Sequence, residues 1–248
     1  MALTALVLLS AADVDAPPLP AVATVSKGDA WDDGARSIGV AAAAAGALWC
    51  DRPYFTGNPS VDWATEQVLR NAADGGVTQL GNELNLPLEN WEGGPEAYNS
   101  FYASVLAATD QPVLYQPPSP GVPGWQEWVA LDDAPAYGVH AYGSCDQMRE
   151  VVQWYLDNVA GALYVTECNF GAGNTVDVDA WAHQELAPFL DWCNQQPRVV
   201  MAAYFAWNWN ESSTLPTSLN AKGTDVPAVL AAAAPTGAEA EAVSAEGP

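Results

Sequence analysis

The chain has 248 residues, half of them hydrophobic, enough for one large domain with its own core and too apolar for disorder over most of its length. Lys and Arg number 7 against 30 Asp and Glu, for a net charge of −23, which argues against binding nucleic-acid phosphates, an anionic membrane or an acidic polymer. No apolar run is long enough to cross a bilayer.

The first segment, 1-MALTALVLLSAADVDA-16, has an apolar centre but no Lys or Arg before it. A secretory signal normally starts basic, so 3-LTALVLLS-10 is read as a buried strand. The proline-rich stretch that follows is harder to place. Either 21-AVATVS-26 is an irregular strand, or the chain starts after the first strand of a full barrel. Further strands are predicted at 47-ALWCDRP-53, 77-VTQLGNE-83, 112-PVLYQP-117, 136-AYGVHAY-142, 162-ALYVTEC-168 and 199-VVMAAYFAW-207.

Amphipathic segments lie between them. In 145-CDQMREVVQWYLDNV-159, Met148, Val151, Val152 and Tyr155 recur at i, i+3, i+4, i+7, the spacing of one helix face. Ser144 or Asp146 could cap its start. In 179-DAWAHQELAPFLDWC-193, Ala182, Leu186, Phe189, Leu190 and Cys193 share a face, and Pro188 is expected to kink or divide the helix. From Ala231 the sequence has no aromatic residue and no periodic apolar face. The expected organisation is one domain over 1–230 and a disordered Ala/Glu-rich tail or linker over 231–248.

Apolar strands separated by helices imply a parallel sheet. The fold class is α/β, and the two candidate architectures are a doubly wound sheet and a (β/α)8 barrel. No Gly-rich phosphate loop follows any strand, so the TIM barrel is favoured, with an incomplete or irregular N-terminal strand.

The strands end on chemistry. One ends on Asp51-Arg52, the next on Asn82-Glu83, then come Tyr115-Gln116, His140 and Tyr142, Thr166-Glu167, and Trp207-Asn208. In a barrel these ends surround one mouth, where active sites are built. Two carboxylates facing one another there are the apparatus of glycoside hydrolysis. Glu83 and Glu167 lie on strands three apart and 84 residues apart along the chain, a fit to three βα units.

This set resembles the clan A retaining glycoside hydrolases, whose cellulase-like members are (β/α)8 barrels. Their pattern is Asn-Glu ending strand four, His-x-Tyr ending strand six, Glu ending strand seven and Trp ending strand eight. Here the matching residues are Asn82-Glu83, 140-HAY-142, Glu167 and Trp207. The resemblance covers roughly 47–230. It implies that Glu83 is the general acid/base and Glu167 the nucleophile. Asn82 would bond the sugar 2-hydroxyl, Tyr142 would orient Glu167, His140 would line the same subsite, and Trp207 would form the platform under the sugar. Arg52 resembles an early-strand arginine beside the nucleophile. It would keep Glu167 ionised, while burial without a basic partner would keep Glu83 protonated.

Each of these residues has a plainer alternative. Glu83 could be a carboxylate at a helix start, Asn82 loop chemistry, His140 a satisfied core histidine, Arg52 a structural ion-pair partner. His183 reads as a solvated face residue and Cys168 as packing. Of Trp125 and Trp128, one is expected to pack on a helix and one to face substrate from a loop. The eleven tryptophans and nine tyrosines tilt the balance towards a carbohydrate ligand. Cys50, Cys145, Cys168 and Cys193 lack metal-finger spacing and could be disulfides or buried thiols.

The expected function is therefore a retaining β-glycan hydrolase acting on a polysaccharide or a bacterial cell-wall glycan. The alternative is a non-catalytic carbohydrate-binding or structural barrel of the same fold. No cofactor is expected, and with two histidines in the chain no metal site either. The partner is an oligo- or polysaccharide substrate, with no nucleic acid and no membrane, and the protein is expected to be a monomer. The compartment stays open, with an extracellular or cell-wall-directed setting favoured.

Overall fold

The computed structural model of the chain describes residues 4–6, 24–27, 50–53, 55, 57–129, 134–170, 177–204 and 225–233. Eight strands pair in sequence order in one sheet. They are β1 Thr4–Leu6, β2 Thr24–Lys27, β3 Cys50–Arg52, β4 Val77–Leu80, β5 Val113–Tyr115, β6 Ala136–Tyr142, β7 Ala162–Asn169 and β8 Val199–Tyr204. Each apolar run singled out above holds one strand, and β2 overlaps 21-AVATVS-26. That stretch is therefore a strand of the sheet.

Two features differ from the expected barrel. β1 pairs antiparallel with β2, while every later pair is parallel. A three-residue edge strand has no periodicity that encodes its direction, which is set by pairing. The order also runs from β1 to β8 without a pairing between the two end strands among the described residues. What is present is an α/β fold in which six parallel strands, β3 to β8, curl into a half-barrel with helices.

Side chains alternate across this sheet, as a two-residue period requires. Leu80, Val113, Tyr115, Tyr137, Val139, Leu163, Val165, Cys168 and Tyr204 join the larger core, shared with the helices. Cys50, Val77, Leu114, Ala136, Met201 and Ala203 form a separate, smaller core on the other face. Parallel strands covered on both faces read as unbroken apolar runs, and β6 is buried at six of its seven positions.

The helices are α1 Val61–Ala73, α2 Gly94–Ala108, α3 Cys145–Asn158, α4 Val178–Trp181, α5 Ala187–Asn194 and α6 Val226–Ala233. α3 starts at Ser144 in a capping box with Gln147, and buries Met148, Val152 and Tyr155. Between α4 and α5 a π-helical turn, Ala182–Leu186, ends with the Ala187 N–H bonded to the Ala182 carbonyl. Pro188 follows as the second residue of α5. Its missing N–H and its ring do not fit a regular helix interior, and the wider turn absorbs the misfit. All five residues expected on that helix face are buried.

α6 runs three residues past the expected boundary at 230; residues 234–248 lie outside the described set. His183 is exposed and meets Asp225 at 3.0 Å. No helix among the described residues is long and apolar enough to cross a membrane. All four cysteines are free and buried, which removes the disulfide alternative. Burial, with the nearby Glu167 charge, pushes the Cys168 thiol up to about 12.

The aromatic excess also finds a different explanation. Tyr98, Tyr102, Tyr115, Tyr137, Tyr155 and Tyr204 are all buried, so six of the nine tyrosines belong to the interior. Trp125 stacks on Tyr155 at 5.7 Å, and Trp128 packs against the same core. Trp125 is thus the one that packs on a helix, while Trp128 keeps a partly exposed surface.

Candidate active site

The carboxyl ends of β3 to β7 carry the polar residues, as parallel sheets position their sites. β4 ends at Leu80, and the chain then turns sharply. Gly81 has φ +102, and a Cβ there would lie 3.1 Å from Leu84 Cδ1 and 3.2 Å from Gln116 Cβ. Glu83 follows in the left-handed region at φ 47, a conformation costing a non-glycine residue roughly 1–2 kcal/mol.

This backbone is held from several sides. Tyr98 Oη donates to the Leu80 carbonyl at 2.5 Å, and Gln79 Nε2 donates to the Gly81 carbonyl at 2.9 Å. The Glu83 N–H donates to the Pro117 carbonyl at 2.9 Å, and the Leu84 N–H to Gln116 Oε1 at 3.2 Å. Strained residues persist where surrounding bonds over-determine them.

On β7 a second irregularity positions the other carboxylate. Val139 pairs with Val165, but His140 pairs with Glu167, so Thr166 is an extra residue. The β8 pairing jumps at the same place, from Val165 to Cys168. In a regular strand Glu167 would share the helix-facing side with Val165. The bulge returns it to the face of His140.

The side chains then converge. Glu167 Oε1 accepts from Arg52 Nη1 at 2.5 Å, and Glu167 Oε2 accepts from the Tyr142 hydroxyl. Arg52 Nη1 also donates to Asn82 Oδ1. His140 Nδ1 lies 3.0 Å from Glu83 Oε1 and 3.5 Å from Glu167 Oε2. Those two carboxylate oxygens are thus at most about 6.5 Å apart, the lower edge of the spacing of inverting pairs.

Burial separates the two acids. The Glu167 side chain is 6% exposed and that of Glu83 18%. Burial by itself would raise the Glu167 carboxyl. The charges of His140 and Arg52, with hydrogen bonds from Tyr142 and Arg52, outweigh it and hold the group below the usual carboxylate range. Burial and the charges of Glu167 and Glu83 push the Tyr142 phenol well up, so it stays a donor.

Arg52, Asn82, Glu83, His140, Tyr142 and Glu167 are thus brought together in one hydrogen-bonded group. Trp207 lies outside the described residues. Glu83 does not stand without a basic partner, since His140 is against it. Sequence reasoning missed Glu89, which is buried and accepts from Asn82 Nδ2 at 3.2 Å. Its setting in 87-PLEN-90 looks like an exposed turn, and nothing in the pattern distinguishes it.

No protein-family model matches the chain, and no curated protein matches it in sequence. Among solved structures, the chain is similar to a GH128 (subgroup VII) oligosaccharide-binding protein from Trichoderma gamsii. The TM-score is 0.51 at 12% identity, with 90% of this chain and 97% of that chain covered. It also aligns with a GH128 (subgroup V) exo-beta-1,3-glucanase from Cryptococcus neoformans, at TM-score 0.49 and 12% identity, covering 70% and 71% of the two chains. The first likeness makes the fold glycoside hydrolase-like. Both neighbours carry the GH128 name, and neither is described as a cellulase.

Proposed function

We propose that the protein is a glycoside hydrolase that cleaves a β-linked glycan with retention at the anomeric carbon. The observation that carries this is the meeting of Glu83 and Glu167 on one histidine nitrogen, in unlike settings. Glu167 is buried and held ionised by Arg52 and Tyr142; Glu83 is the more accessible of the two. Two acids given different environments are how one site supplies a nucleophile and a proton donor.

In the first step Glu167 attacks the anomeric carbon and the bond to the leaving oxygen breaks. Glu83 gives that oxygen its proton, leaving a glycosyl ester on Glu167. In the second step water attacks the same carbon, Glu83 takes a proton from it, and Glu167 leaves as carboxylate. His140 Nδ1 can donate to ionised Glu83 or accept from its protonated form. Arg52 and Tyr142 stabilise Glu167 whenever it is ionised, and Asn82 bonds the sugar beside the cleaved bond.

The finer relationship, to the cellulase-like clan A enzymes, is supported by register. With β1 and β2 counted, Asn82-Glu83 follows β4, His140 and Tyr142 lie on β6, and Glu167 lies on β7. The substrate proposed is a polysaccharide or cell-wall glycan, met outside the cell or at its wall. The second reading, a carbohydrate-binding protein without turnover, is favoured by the likeness to an oligosaccharide-binding protein.

The test is hydrolysis of a panel of β-linked glycans, with the first-formed product followed by proton NMR. Wild type should release the β-anomer first. Glu83→Ala should lose about 10²–10⁴-fold in kcat, and Glu167→Ala should lose all measurable turnover. Release of the α-anomer first would overturn retention. Tight oligosaccharide binding with no turnover by wild type would replace hydrolysis with the binding reading.

A further inference from the structure

We infer that Glu89 is a positioning residue: it fixes the side-chain amide of Asn82, and with it the hydrogen-bond donor that the site presents to a sugar hydroxyl. This rests on the proposed reading of the site as one that cleaves glycans.

The Asn82 amide lies between two partners of fixed polarity. Its Oδ1 accepts from Arg52 Nη1, and its Nδ2 donates to Glu89 Oε1 at 3.2 Å. A guanidinium can only donate and an ionised carboxylate can only accept. Turning the amide over would set its NH₂ against the guanidinium and its carbonyl against the carboxylate, two repulsions in place of two bonds. One orientation is therefore selected. Of the two hydrogens on Nδ2, one is bound by Glu89, and the other meets no acceptor among the described residues and remains for a ligand.

The position of Glu89 is not explained by capping or solubility. It is 3% exposed and ends a short 3₁₀ turn, Pro87–Glu89. Negative charge is disfavoured at the carboxyl end of a helical turn, and burying a carboxylate is costly without hydrogen bonds. The backbone keeps it there. Its N–H donates to the Leu86 carbonyl and its carbonyl accepts from the Gly57 N–H, both at 3.1 Å.

The same chain of bonds reaches the second carboxylate, since Arg52 Nη1 serves Asn82 and Glu167 together. Glu89 contacts neither proposed reacting carboxylate in these bonds. Its replacement should therefore free the Asn82 amide while leaving the Arg52–Glu167 pair in place.

The experiment compares wild type, Glu89→Gln, Glu89→Met and Asn82→Ala, alone and combined, using two measurements. Hydrogen exchange of the Asn82 side-chain amide, assigned in the NMR spectrum by its loss in Asn82→Ala, reads the clamp without any substrate. Exchange should quicken in Glu89→Gln, which can still accept but no longer carries charge, and more in Glu89→Met. Steady-state hydrolysis reads the consequence. kcat should fall about tenfold in Glu89→Gln and about a hundredfold in Glu89→Met, a misplacement-sized loss. In the Asn82→Ala background, Glu89→Met should cost nothing further.

Unchanged Asn82 exchange in both Glu89 variants would overturn the inference, as would kcat losses that multiply in the double variant. If wild type cleaves nothing on the glycan panel, the hydrolase reading fails by itself, and the exchange comparison still decides the role of Glu89.

Discussion

The two faces of the sheet are built by opposite rules. On the helix side, six tyrosines and the apolar residues of β5 to β8 pack into one core, and several of the phenol groups find partners nearby. Tyr102 donates to the Val113 carbonyl at 2.8 Å and Tyr115 to Asn99 Oδ1 at 2.5 Å. On the other face the core is six small or medium side chains at one end. Towards the strand ends it gives way to Arg52, Gln79, Gln116, His140 and Glu167, all buried and polar. Gln79 Oε1, Gln116 Nε2, His140 Nε2 and Arg52 Nε have no hydrogen-bond partner among the described residues. On the first face Tyr102, Tyr115 and Tyr98 use their hydroxyls in aid of packing, while the buried Tyr155 hydroxyl has no partner among the described residues. The second face gathers four such unpartnered atoms at the strand ends, a concentration expected of a site that meets a polar ligand.

That contrast can be broken most severely at Arg52. Arg52→Met leaves Glu167 buried without its cation, and the loss from breaking a buried pair is about 3–5 kcal/mol, measurable by urea unfolding at neutral pH. The pH dependence should change as well. Glu167 has a depressed folded pKa, so its contribution is present above the unfolded carboxylate value, about 4.3, and is lost as pH falls through the folded one. In Arg52→Met the acid limb of kcat/KM should move to higher pH. An unmoved limb would show that Arg52 does not tune Glu167.

The second test is confined to the helix face. Tyr137→Ala opens a cavity between Tyr115 and Tyr155 and should cost about 3–5 kcal/mol in stability. kcat of the folded fraction should stay within a factor of two. A large fall in kcat would mean that the faces are not separable.

The smallest effect sharpens the boundary between them. Tyr98 is a helix-face residue whose hydroxyl donates to the Leu80 carbonyl and accepts from the Gln116 N–H at 3.2 Å. Tyr98→Phe should cost about 1–3 kcal/mol through the groups left unpaired. Unlike Tyr137→Ala, it should also lower kcat, because Leu80 leads directly into the turn that carries Glu83. Unfolding midpoints and kcat measured together separate the two variants.

Much of this architecture was legible because burial on both faces turns parallel strands into apolar runs. The 3.6-residue period and Ser144 marked α3 in the same local way. What escaped was non-local or conformational. The antiparallel direction of β1 depends on its partner. The bulge at Thr166 is invisible to composition, and regular alternation across β7 would have put Glu167 on the wrong face. The aromatic excess tilts only weakly towards a ligand, because stacking on sugar and stacking in a core demand the same residues. His140 against Glu83, and Glu89 beneath Asn82, are contacts across loops that strand-end reasoning does not reach.

The left-handed backbone at Glu83 carries a consequence for any directed evolution of this protein. Glycine or asparagine would rest more comfortably there, so a screen for heat resistance alone should enrich substitutions at position 83. On the proposed reading each such winner would be a folded, hardier protein without its proton donor. Thermal tolerance and turnover would then be selected against one another at a single codon.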